Sequence, residues 1–228
     1  MNRTKVKISL VLNILIVIFT IFATIAMFTG FKFMHEYNVV LQSTKLGMLR
    51  FFTVQSNILM GIIALFFAGL EIKLLKGKIE EISTKAYVLK LMATTAVGLT
   101  FLVVFAYLGH ITEYGIKAMI MNSNLFFHLI TPLFSMICFA AFERTNKVKF
   151  KYTFWGIIPT FLYAIYYMIN IFVHMENGQV SPVYDWYWFV QNGVWTAIIV
   201  IPLMFLITYL ITLLLWRINK KKEQKNVF

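Results

Sequence analysis

The sequence predicts an all-α polytopic membrane protein, six transmembrane helices in one bundle with both termini in the cytoplasm, and three observations predict it. The 228 residues are 60% hydrophobic and 13% charged, with a mean hydropathy of +0.78. Soluble domains hold a roughly even apolar share. Six apolar runs lie near residues 8–30, 52–72, 90–109, 125–143, 153–173 and 189–216, each close to the roughly 20 helical residues that cross about 30 Å of hydrocarbon. Seventeen of the 21 Lys and Arg residues fall in alternate segments: the N-terminus, the second loop, the fourth loop and the tail. Only Lys32, Lys45, Arg50 and Lys117 fall between them. Cytoplasmic segments carry the basic excess, so one count supports both the orientation and the number of spans. The connecting loops leave no room for a soluble domain, and residues 1–228 read as a single domain.

The first run follows Arg3, Lys5 and Lys7. It is longer than the roughly 7–15 apolar residues of a signal peptide, so it is expected to be retained. The second opens on FFTVQSN, with Thr53, Ser56 and Asn57 at its outer turn and Gly61 and Ala64 below them. Small residues of this kind let a neighbouring helix approach closely. The third run ends outward at His110, followed by Glu113. In the fourth, Asn124, His128, Thr131, Pro132 and Ser135 fall on one stripe, since residues three and four apart share a helix face.

The fourth run also holds Cys138, the single cysteine, which excludes an intrachain disulfide and a multi-cysteine metal site. The fifth carries Tyr163, Tyr166, Tyr167 and Asn170 and ends at His174. The last outer loop holds Glu176 and Asp185, and Gln191 and Asn192 open the sixth run. Trp186, Trp188 and Trp195, with Tyr184 and Tyr187, read most simply as an interfacial aromatic belt. The tail WRINKKKEQKNVF reads as a juxtamembrane anchor for anionic lipid at the cytoplasmic face. Topology thus accounts for the net charge of +12, and no nucleic-acid partner is expected.

Polar side chains inside spans are costly and normally face the bundle interior. With alternate threading, Thr53 and His128 both lie one turn below the outer face. All four histidines, counting His35 in the first outer loop, belong to that side. The expectation is a polar pocket near the outer leaflet, with His110, His174, Asp185 and Gln191 as further members. A threonine hydroxyl becomes a nucleophile when a base takes its proton, and histidine is the usual base. The competing reading has Thr53 bonded to its own helix backbone and His128 bridging two helices.

Phe51 to Asn57 (FFTVQSN), Asn124 to Leu133 (NLFFHLITPL) and Glu143 at the inner end of the fourth span resemble the androgen-induced-protein-like family of six-span membrane hydrolases. The resemblance implies a threonine and a histidine active site acting on fatty-acid esters of hydroxy fatty acids. Thr53, Asn124, His128 and Pro132 occupy the matching places. The family's final outer loop has Tyr-Pro-Phe before an acidic residue, whereas here it reads Ser181, Pro182, Val183, Tyr184, Asp185, a departure that bears on substrate preference. Richness in Lys, Ile and Phe points to an AT-rich bacterial genome and so to a bacterial cell membrane.

The implied chemistry is acyl transfer from a membrane lipid ester to Thr53 and then to water, with His128 as base. Asn124, Asn57 and Ser56 are the candidate oxyanion donors, and helix–helix bonding is the favoured role for Ser56. No cofactor is expected. Three other readings stay open. A metal-dependent hydrolase could use His110, His128 and His174 with Glu113 or Asp185. A haem site could use two of the histidines. A transporter or lipid-binding scaffold would need no reaction at all. A GxSxG elbow, a phosphate-binding glycine loop and a dinucleotide fingerprint are all missing from the sequence.

Overall fold

A computed structural model describes residues 2–34, 43–111, 115–190 and 193–220. Its long helices are α1 (Arg3–Thr29), α2 (Phe52–Leu75), α3 (Thr84–Leu108), α4 (Leu125–Phe142), α5 (Phe150–Val173) and α6 (Val194–Asn219). All six are long and apolar enough to cross a membrane, and the chain is an all-α, multi-pass membrane protein. One end of the bundle joins the basic segments: Arg3 donates to Leu75 O at 3.4 Å, and Arg144 donates to Lys220 O at 2.5 Å. At the other end Asn122 Oδ1 accepts from the amides of Phe33 and Met34, each at 2.8 Å.

Helix α3 is the central helix. In its most apolar stretch 56% of residues are buried, against 17–39% in the other five, and it touches α2, α4, α5 and α6. On α1 the pattern is one-sided: Val11, Ile14, Ile18, Ile21, Phe22 and Ile25 stay exposed for lipid while Ser9, Asn13, Ile16, Thr20 and Ala23 are buried. Gly61 is where α1 and α2 approach, because a Cβ there would sit 2.8 Å from Thr20 Cγ2. The small-residue track on α2 therefore serves packing, as its sequence suggests.

The starts of α1 and α3 both come earlier than expected, and local caps explain them. Asn2 accepts from Thr4 N at 2.9 Å and starts α1 at Arg3. Ser83 accepts from Ala86 N at 3.3 Å and starts α3 at Thr84 rather than near residue 90. Lys90 is consequently not a loop charge. It is fully buried, 3.2 Å from Glu143, so it leaves the cytoplasmic count without altering its bias.

Helix α4 is irregular. Its first turn, Leu125–Ile130, and its last, Cys138–Phe142, are π-helical, with an α-helical stretch between them. Pro132 has no N–H to give the His128 carbonyl four residues earlier, and a wider turn is one way to accommodate such a gap. The stripe survives this: Asn124, His128, Thr131, Pro132 and Ser135 are all buried. After α5 comes a two-stranded antiparallel hairpin, β1 (Met175–Glu176) and β2 (Gln179–Val180). Its turn is Asn177-Gly178, both at positive φ, the residue pair that type I′ hairpin turns favour.

Candidate functional site

The end of the bundle opposite the basic segments is closed by the loop before α6, and Asp185 holds that loop together. Its buried carboxylate accepts from Phe189 N at 2.8 Å, Val190 N at 3.0 Å and the Tyr167 hydroxyl. Asn170 donates to Tyr184 O at 2.8 Å, and Trp186 Nε1 donates to the Tyr163 hydroxyl at 3.1 Å. Residues 185–190 therefore sit on the tyrosine face of α5 instead of starting the sixth span at 189. Trp186 is buried and Tyr187 half-buried, which corrects the aromatic-belt reading for these two residues.

That loop carries Tyr187 to the start of α2. Phe51, the residue that caps α2, has no polar side chain to offer the first amides. The Tyr187 hydroxyl takes that role, accepting from Phe52 N at 3.0 Å. Burial pushes its phenol up to about 12, so it stays a neutral hydroxyl at physiological pH.

Thr53 is the second residue of α2. The carbonyl four residues before it, Leu49 O, is taken by Gln55 Nε2 at 2.6 Å. Among the described residues no hydrogen bond engages the Thr53 hydroxyl, so the anticipated bond to its own backbone does not form. His128 answers its competing reading only in part. Its Nδ1 contacts Met119 O, and since a carbonyl can only accept, Nδ1 carries the proton. One nitrogen fixes the ring; the other, Nε2, keeps its lone pair.

Thr53, Asn124, His128 and Tyr187 line one cavity of about 30 Å³, walled by apolar side chains that include Val54, Leu108 and Met27. That volume admits a water molecule or two, at roughly 10–15 Å³ each. No direct hydrogen bond joins Thr53 to His128. Asn124 is buried at the cavity wall, its amide not engaged among the described residues.

The other expected members of the pocket are elsewhere. Asn57 donates to Thr53 O at 2.8 Å and to Phe127 O at 2.9 Å. Both its N–H groups are thereby spent, and it is a strut between α2 and α4 rather than an oxyanion donor. Ser56 bonds Thr53 O and the Thr100 hydroxyl, each at 3.1 Å, and ties α2 to α3. His110 is exposed on the turn after α3. His174 bonds Asn170 O at 2.8 Å and stacks on Tyr184 at 3.6 Å. Asp185 acts on the cavity only through the loop it holds. Gln191, His35 and Glu113 lie outside the described residues, and so does Asn192. Among the described residues no three His, Cys, Asp or Glu side chains gather as metal ligands, so His110, His128 and His174 do not form the metal site considered above.

Sequence reasoning missed Tyr187 and the Met119 carbonyl. Neither sits on a helical stripe, and a backbone carbonyl carries no sequence signal. Residues 121–226, a little under half of the chain, match a family described as a protein of unknown function (DUF1600). The match covers α4 to α6 and therefore His128 but not Thr53. No curated protein and no solved structure matches the chain.

Proposed function

We propose that the chain is an integral membrane hydrolase of lipid esters, with Thr53 as nucleophile and His128 as general base. The observation that carries this reading is the shared cavity, lined both by Thr53, whose hydroxyl is unbonded among the described residues, and by a histidine with a fixed tautomer. The resemblance of FFTVQSN and NLFFHLITPL to the threonine hydrolases supports it from the sequence side.

In the first half-reaction Thr53 Oγ1 attacks the ester carbonyl carbon, and its proton passes to His128 Nε2, directly or through one water. The carbonyl oxygen becomes an oxyanion, for which the Asn124 amide is the uncommitted donor. Collapse breaks the bond to the alcohol, which leaves with the proton from Nε2, and the acyl group stays on Thr53. Water then attacks the acyl-threonine after giving a proton to Nε2. The second collapse returns that proton to Thr53 Oγ1 and releases the fatty acid. The Met119 carbonyl holds the imidazolium formed in each half-reaction, as the third member of a triad would.

The cavity is too small for an acyl chain. Substrate entry therefore requires the side chains around Thr53 to part toward the lipid. The test is turnover of fatty-acid esters in vesicles by purified chain. His128→Ala should lower the rate by about 10²–10⁴-fold, Thr53→Ala should reduce it to background, and Thr53→Ser should keep part of it. Full turnover by Thr53→Ala would remove the proposal.

A further inference from the structure

The inner half of the bundle holds a second polar constellation, independent of the outer cavity. Ser9 and Asn13 of α1, Glu71 of α2, Lys90 of α3 and Glu143 at the end of α4 each have 0% exposure. Lys90 Nζ lies 3.2 Å from Glu143 Oε1, donates to Asn13 Oδ1 and sits 5.1 Å over the Phe67 ring. Ser9 Oγ donates to Glu143 Oε1 at 3.2 Å, and Cys138 Sγ donates to the same oxygen at 3.2 Å. Asn13 Nδ2 is shared between Glu143 Oε1 at 2.9 Å and Glu71 Oε2 at 3.1 Å. Tyr87 of α3 packs on Phe67 beside them, ring centroids 5.5 Å apart. Among the described residues Glu71 Oε1 and Glu143 Oε2 are buried without a partner.

The charges do not balance. Among the described residues one ammonium faces two carboxylates, and its 3.2 Å contact with Glu143 Oε1 assigns it to Glu143. Glu71 is left with neutral partners alone, the shared Asn13 amide at 3.1 Å and the Ser9 hydroxyl, close to a second carboxylate and out of reach of water. A buried charge so poorly compensated neutralises instead of persisting, and in a membrane span the penalty is not relieved by solvent. A metal ion would need several oxygen ligands, whereas a proton needs only a lone pair and adds one donor where two acceptor oxygens stand open.

We infer that this cluster is a proton-binding site, in which Glu71 is a neutral carboxylic acid and Glu143 is the ionised partner of Lys90. The chain thereby keeps an overall neutral, three-group site in the half of the bundle nearer its basic end. Gln is close to the shape of a protonated Glu, so the two carboxylates should respond differently to the same substitution.

The experiment uses the full chain in lipid nanodiscs at neutral pH. Infrared spectra should contain a protonated-carboxyl stretch that is absent from Glu71→Gln. Glu71→Gln should melt within a few degrees of the wild type, and Glu143→Gln, which strips Lys90 of its counter-charge, should melt well below it. If Glu143→Gln does not fold, the infrared comparison decides alone. A wild-type spectrum without that band, or one left unchanged by Glu71→Gln, would overturn the inference. So would stabilisation by sodium over choline that Glu71→Gln abolishes, since that would make the occupant a metal cation.

Discussion

At the residue scale the outer cavity rests on two hydrogen bonds that no motif announces. Tyr187 caps α2 from a loop, and Met119 O fixes the His128 ring. Tyr187→Phe removes the cap and leaves the ring packing, so it should cost about 1 kcal/mol of stability while loosening the first turn that carries Thr53. Thermal unfolding and ester turnover, measured on the same preparation, check both effects. Asn57→Ala leaves the Phe127 carbonyl buried and unpaired and should cost about 1–3 kcal/mol. Because its amide is fully spent, the variant should raise KM and lower kcat through displacement of Thr53, with the pH dependence of turnover unchanged. Thr53, Asn124 and His128 were legible in the sequence because a polar residue in a lipid-facing run is rare. Tyr187 was hidden in an aromatic loop where Trp and Tyr have a simpler interfacial use. Lys90 escaped because it counts as a loop charge until the Ser83 cap starts its helix at Thr84, and Glu71 went unread near the inner end of the second run.

At the element scale the spans follow from apolar length alone, but their starts follow from caps. Asn2 and Ser83 set α1 and α3, and Asp185 delays α6. The alternation of basic loops could be counted from sequence, and the π turns of α4 could not, because they answer to how Pro132 is accommodated by its neighbours. Gly156 gives the sharpest packing test. A Cβ there would lie 2.3 Å from Thr212 Oγ1 and 2.9 Å from Thr212 Cβ, so no rotamer change of Thr212 relieves it. Gly156→Ala should push α5 from α6 and cost about 1–3 kcal/mol, read as a lower melting temperature in detergent. Gly156→Ala combined with Thr212→Ala should recover part of the loss.

At the scale of the whole molecule the bundle separates two polar sites by an apolar middle in which Ile16, Met60, Ala64 and Val97 are buried together. The cavity that Thr53 and His128 share is small and mostly apolar-walled; the other site is ionic and sealed. The charge bias predicts which end faces the cytoplasm. In intact cells Ser181→Cys should react with a membrane-impermeant maleimide and Lys78→Cys should not, with buried Cys138 silent in both. The reverse pattern would invert the topology and move the cavity to the inner leaflet. The claim that joins sequence and cavity is the acyl-threonine, and the most direct measurement is mass mapping of a fluorophosphonate adduct on the purified full chain. The account predicts one adduct on Thr53, absent from Thr53→Ala and much slower to form in His128→Ala. An adduct on another residue, or labelling that persists in Thr53→Ala, would contradict it.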